Sequence, residues 1–231
     1  MIISHKYRCI FIKTAKTAGS SIEVFLSKAG GSEDVVTNLS PEEDGHEPRN
    51  FKGFFNPIPE LIAGRGESWK KTVENFRTQA RYWSHLPARL VRERVGRKIW
   101  ESYYKFCVER NPWDKSLSHY HMVNTLRGGG LELDAYLNKG KFCWNTDIYL
   151  DWDDTTCLVD RVLRYEQLDE ELGEVCEKLG IPYSGSLRER SKANFRPDRR
   201  SYCEMFSPSQ AEKIRQDFAK EIALHGYTFD K

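Results

Sequence analysis

The chain has 231 residues, room for one sizeable core or at most two small ones. Its 39% hydrophobic and 13% aromatic content excludes a disordered polymer. With 36 Lys and Arg against 34 Asp and Glu, the net charge of +2 excludes nucleic-acid binding through a global basic field, so any basic site is local.

No apolar run approaches the roughly 20 residues that cross a bilayer. The first residues lack the basic, apolar, small-residue order of a signal peptide. Six cysteines are scattered with no C-x-x-C pair, which points to a reduced, cytoplasmic protein.

Residues 7–12 read as a short buried strand, and 19–28 as a helix on the spacing of Ile22, Phe25 and Leu26. From 30 to 66 the pattern dissolves into Gly, Pro, Asn and charge, a loop-rich excursion rather than a second domain. Residues 69–82 are weakly helical. A short helix follows over 87–95, with Pro87 in its first turn and Gly96 after its end. Residues 104–108 form a second strand, after which Asn111 and Pro112 read as an N-cap and first helical position. That helix runs from 113 to about 126 and stops at Gly128–Gly130. A third strand at 161–164 precedes a helix with Leu168, Leu172, Val175 and Leu179 on one face, ended by Gly180 and Pro182. Ser207-Pro-Ser-Gln210 has the form of a capping box. It opens a last helix through Ile214, Phe218 and Ile222 to Gly226. Strand–turn–helix thus occurs three times, which predicts one α/β domain over 1–231 with a mainly parallel central sheet flanked by helices.

In such sheets ligands sit beyond the carboxyl ends of the strands, and two unusual turns fall there. The first reads Lys13-Thr-Ala-Lys-Thr-Ala-Gly-Ser-Ser21. A helix start offers unpaired N–H groups and the positive end of a dipole. Gly19 permits close backbone approach, Thr17, Ser20 and Ser21 add hydroxyls, and Lys16 adds a full charge. The plain alternative is an ordinary capped bend with a solvated lysine. A nucleotide-triphosphate P-loop fits poorly, because Lys16 precedes the glycine and no strand carboxylate is placed for Mg²⁺. The second turn places Arg110 at a strand end and Ser118 two turns along the next helix, an arginine fork and a hydroxyl for a phosphate dianion.

Taken together, Lys-Thr-Ala-Gly-Ser-Ser (16–21) and Arg-Asn-Pro-Trp-Asp-Lys-x-x-Ser (110–118) resemble the paired signatures of PAPS-dependent sulfotransferases. The similarity is to the carbohydrate and bacterial type often called sulfotransferase family 2. It extends weakly to Arg164-Tyr-Glu-Gln-Leu168, Phe218-Ala-Lys-Glu-Ile222 and Gly226-Tyr-Thr-Phe229, and leaves 30–66 uncovered. The resemblance implies a P-loop-like fold with 3′-phosphoadenosine-5′-phosphosulfate (PAPS) as donor and no metal. It makes Lys16 the phosphosulfate lysine and surrounds the 5′-phosphate with Thr17, Ala18, Gly19, Ser20 and Ser21. Arg110 and Ser118 would hold the 3′-phosphate, and a late basic loop with Arg196, Arg199 and Arg200 would close over the nucleotide. Three positions depart from the family pattern: Ala15 replaces a usual proline, Lys115 a usual arginine, and Glu109 an apolar residue.

Transfer to an acceptor hydroxyl needs a base near neutral pH, which favours histidine. His85 is the first candidate, resembling the family's catalytic histidine upstream of the 3′-phosphate strand. Its alternative role is a helix-entry contact, and His46, Glu47 and Glu166 are lesser candidates. The resemblance favours a glycan acceptor, with a lipid or small alcohol behind it. The rival readings are a P-loop kinase and a non-catalytic nucleotide- or carbohydrate-binding protein.

Overall fold

The computed structural model describes residues 1–63, 67–187 and 200–230. Five strands form one sheet: β1 (Ile2–Ser4), β2 (Cys9–Phe11), β3 (Val35–Val36), β4 (Tyr104–Glu109) and β5 (Arg161–Arg164), in the order β3-β1-β2-β4-β5. β2, β4 and β5 pair in parallel, with Phe11 opposite Phe106 and Val108 opposite Leu163. These are the three strands expected from sequence. β1 and β3 add an antiparallel edge, and β3 lies inside the 30–66 stretch. A two-residue strand leaves too short a pattern to read in sequence.

The helices are α1 (Gly19–Ala29), α2 (Ile58–Ala63), α3 (Glu67–Arg77), α4 (Ala88–Val95), α5 (Arg97–Ser102) and α6 (Pro112–Leu126), followed by α7 (Leu133–Lys139), α8 (Thr146–Tyr149), α9 (Leu168–Leu179), α10 (Tyr202–Met205), α11 (Pro208–Asp217) and α12 (Ala219–His225). Two boundaries differ from expectation. The helix foreseen over 69–82 ends at Arg77, and the last helix breaks at Phe218 into α11 and α12. Phe218 is fully buried, with φ and ψ outside the helical range, so its ring anchors the break. The Ser207–Gln210 capping box forms as read, with the Gln210 amide donating to the Ser207 hydroxyl at 3.3 Å.

Period-two alternation sends side chains to both faces of the sheet. Ile10, Ile12 and Cys107 pack with α4 residues Ala88 and Val91 and with Trp100. Cys9, Phe11, Phe106 and Val108 point the other way, against Ile22 and Leu26 of α1 and Leu172 and Val175 of α9. Both faces are covered, which explains why these strands read as continuous apolar runs. A third cluster, Trp113, Leu117, Ile214 and Phe218, joins α6 to α11. All six cysteines are free thiols, and burial raises that of Cys9 to about 12. Among the described residues no helix is long and apolar enough to cross a membrane.

One buried charge cluster fastens α1 to the sheet edge. Glu23 is fully buried and accepts from Lys13 Nζ and from the Met1 amino group. Burial alone would raise the Glu23 pKa, but the two cations reverse this and hold it below its ordinary value. Removing one partner leaves the others buried and uncompensated. Glu23→Ala should therefore cost about 3–5 kcal/mol in urea denaturation, and a loss below 1 kcal/mol would show that the cluster is not holding α1.

Candidate functional site

The first turn leaves β2 and enters α1 through two residues with left-handed backbone, Lys16 (φ 62°) and Ala18 (φ 59°). Neither is glycine, so surrounding contacts must hold the conformation. Thr14 Oγ1 donates to the Val108 carbonyl, and the Thr14 and Thr17 hydroxyls bond at 2.8 Å. Thr17 is wholly buried. Ala18 occupies the N-cap of α1 and supplies no side-chain acceptor to the first-turn N–H groups. Ser20 and Ser21 open the helix, and Ser20 Oγ accepts from Lys13 Nζ at 3.3 Å. Gly19 has a nearer cause than ligand approach: a Cβ there would lie 2.8 Å from the Lys13 side chain, whose stem crosses the turn.

In the second turn Arg110 is buried among partners from three elements. Its Nε donates to Asp114 Oδ2 at 2.8 Å, Nη2 forms an ion pair with the same oxygen at 2.7 Å, and Nη1 donates to the Lys16 carbonyl at 3.1 Å. The guanidinium carbon sits 4.0 Å above the Tyr165 ring. The two turns read separately in the sequence are thus joined directly. Asn111 caps α6, its Oδ1 accepting from Trp113 N at 3.1 Å, with Pro112 in the first turn. Asp114, Ser118 and Met122 follow at helical spacings of four and share one face. Asp114 holds Arg110, and Met122 Sδ lies 3.8 Å from Lys16 Nζ. Ser118, half-buried between them, therefore lies on the face turned to the first turn.

Glu109, the carboxylate that fits a phosphate site worst, is fully buried and compensated. Its Oε1 accepts from Lys115 Nζ at 2.8 Å, from Asn145 Nδ2 at 3.0 Å and from Arg110 N at 2.9 Å. Lys115 is equally buried and lies 4.9 Å from the Phe218 ring centre. Asn145 in turn accepts from Ala15 N at 2.8 Å and donates to Ala15 O at 3.2 Å. Two departures from the family pattern, Glu109 and Lys115, are a single ion pair.

His85 reaches the first turn from the loop before α4. Its Nδ1 is 3.1 Å from the Lys13 carbonyl, which can only accept, so Nδ1 carries the proton and Nε2 is the basic nitrogen. Burial, then the Lys13 charge, holds the imidazole below its ordinary pKa, while the residue's outer edge remains exposed. His119 on α6 bonds the Tyr136 hydroxyl at 2.8 Å, and burial followed by the Lys16 charge lowers it to about 4. Of the lesser candidates, Glu166 accepts from Asn111 N at 2.7 Å. His46 lies near Glu23, lowered chiefly by burial, and the Glu47 backbone N–H donates to Ser27 Oγ at 3.2 Å. Arg196 and Arg199 lie outside the described residues. Arg200 is exposed, two residues before Tyr202, whose hydroxyl accepts from Asn111 Nδ2 at 3.3 Å.

Sequence reasoning missed Lys13, Asn145, Asp114, His119 and Tyr165. Only Asp114 had a local signal, its spacing of four from Arg110. Two clefts, of 660 and 540 Å³, open elsewhere, around Trp69, Val73 and Arg77 and around Lys28, Gly31 and Arg49. Neither is lined by residues of the two turns.

No family model matches the chain. An uncharacterized protein of Archaeoglobus fulgidus is 29% identical over 114 residues, covering 47% of this chain and 94% of that protein. The crystal structure of mouse sulfotransferase SULT7A1 complexed with PAP aligns over 95% of this chain and 86% of its own, with 14% identity and a TM-score of 0.48.

Lys115→Met strands the Glu109 carboxylate and should cost about 3–5 kcal/mol, whereas Glu109→Leu with Lys115→Met should recover most of that loss. Chemical denaturation of both variants checks this, and a double variant no better than the single would refute the pairing. The folded protein resists protonating His85 and His119 below their ordinary value of 6.5. Between 6.5 and about 4 the unfolded chain binds protons that the folded chain does not, so stability should fall as pH drops through that window. His119→Gln should flatten the slope of thermal stability against pH, and an unchanged slope would remove His119 as a contributor.

Proposed function

We propose that this chain is a PAPS-dependent sulfotransferase of the carbohydrate and bacterial type, moving a sulfuryl group to an acceptor hydroxyl. A glycan is the acceptor class to test first. The reading is carried by one observation: the Arg110 guanidinium donates to the Lys16 carbonyl at 3.1 Å, so the two signature turns are in direct contact. The Glu109–Lys115 pair supports it, because the carboxylate's charge is met inside the protein and does not oppose an anion at the turns.

The donor PAPS would supply the sulfuryl group, its departing nucleotide being adenosine 3′,5′-bisphosphate. Lys16 and the α1 N-terminus at Gly19, Ser20 and Ser21 are the groups to hold the 5′-phosphosulfate, with Ala18 and Thr17 shaping the turn. In this reading Lys16 follows the charge that grows on the leaving oxygen. Arg110 hydrogen-bonds Asp114 through Nε and the Lys16 carbonyl through Nη1, and its guanidinium has further N–H donors for a 3′-phosphate beside Ser118. Arg199 and Arg200 complete the nucleotide contacts in this proposal. His85, neutral and with Nε2 as its basic nitrogen, takes the acceptor proton. The reaction needs no metal, since positioning and cationic stabilisation carry an in-line transfer.

Transfer of labelled sulfate from PAPS across glycans, lipids and phenols tests the reading, and no transfer to any acceptor class would refute it. His85→Ala should lower turnover by about 10²–10⁴-fold while keeping nucleotide affinity. Wild-type turnover in that variant would exclude His85 as the base. Arg110→Ala should weaken adenosine 3′,5′-bisphosphate by about tenfold or more, with far less effect on a nucleotide lacking the 3′-phosphate. Equal losses for both nucleotides would argue against a 3′-phosphate contact. Lys16→Ala should lower the transfer rate more than it weakens nucleotide binding.

A further inference from the structure

We infer that Asn145 is a positioning residue for the Lys16 turn, with its amide orientation set by the buried Glu109–Lys115 pair; the inference rests on the sulfotransferase reading. Asn145 stands at the N-cap position of α8, where an asparagine ordinarily accepts from its own helix, yet it makes no such bond. Its side chain is wholly buried and turned to the first loop instead. Nδ2 faces Glu109 Oε1 at 3.0 Å, and that oxygen accepts from Lys115 as well, so Asn145 Oδ1 cannot take the place of Nδ2. Oδ1 is thereby aimed at the Ala15 N–H, at 2.8 Å, while Nδ2 also reaches Ala15 O at 3.2 Å.

This two-point clasp fixes the peptide planes on both sides of Ala15, immediately before Lys16 with its left-handed backbone. Arg110 grips the Lys16 carbonyl from the other side. The N–H of Ala15 is essential to the clasp, and a proline there would remove it. Ala15, Glu109 and Lys115 thus act as one set, linked through Asn145.

The test is calorimetric titration of adenosine 3′,5′-bisphosphate into wild type, Asn145→Ala, Ala15→Pro and the double variant, with transfer rates and acceptor KM beside it. Each single change should weaken the nucleotide roughly tenfold and lower kcat while leaving acceptor KM unchanged. The double variant should bind no worse than the weaker single, because both changes break the same clasp. Wild-type affinity and kcat in the single variants, with only thermal stability reduced, would make Asn145 a purely structural residue. Additive losses in the double variant would equally overturn the inference. Should Asn145→Ala fail to fold, Ala15→Pro decides by the same affinity measurement. Should the wild type not bind the nucleotide at all, the sulfotransferase reading falls separately. The clasp is then judged by amide exchange at Ala15 in the wild type, where slow exchange supports it and fast exchange overturns it.

Discussion

The parallel pairing of β2 with β4 does not stop where the strands stop. Ile12 N donates to Phe106 O at 2.9 Å as the last backbone rung. Two residues further on, the Thr14 hydroxyl donates to Val108 O, and two further again Lys16 O receives the Arg110 guanidinium. The register advances by two on both chains while side chains replace backbone donors. A chain leaving a sheet to bend into a helix must abandon backbone pairing, yet its polar groups still need partners. These side-chain rungs meet that need and fix two cationic turns side by side.

Charge is organised in the same economical way. Lys13 and Lys115 lie beneath the turns, and each pairs with a carboxylate that is itself buried, Glu23 and Glu109. Such pairs gain little net stability over apolar residues, but a broken one is costly, so they specify geometry more than they stabilise it. Lys13 and Lys115 are thereby fixed as parts of the scaffold. Lys16 reaches the soft sulfur of Met122 at 3.8 Å and is half-exposed at the turn.

The two histidines nearest the turns sit beside these cations, and both are held neutral at ordinary pH. The lone pair is then available without prior loss of a proton, and the lowered pKa makes each a weaker base than a free imidazole. In His85 the Lys13 carbonyl also selects the tautomer, tying the orientation of the ring to the turn it would serve. One backbone segment therefore organises the lysine, the arginine and the histidine together.

Local pattern alone determined the three parallel strands, the capped starts of α6 and α11, the left-handed stop of α9 at Gly180, and the cationic character of both turns. Each follows from neighbours a few residues apart, where propensity and hydrogen-bond valence act directly. The short β1 and β3, the break at Phe218 and the partners of Glu109 were decided only by the folded chain. Asn145 gave no signal either, because its contacts lie 130 residues away at Ala15 and 36 away at Glu109. A buried carboxylate cannot declare its counter-ion in sequence, since desolvation is a property of the packed interior and not of the residue.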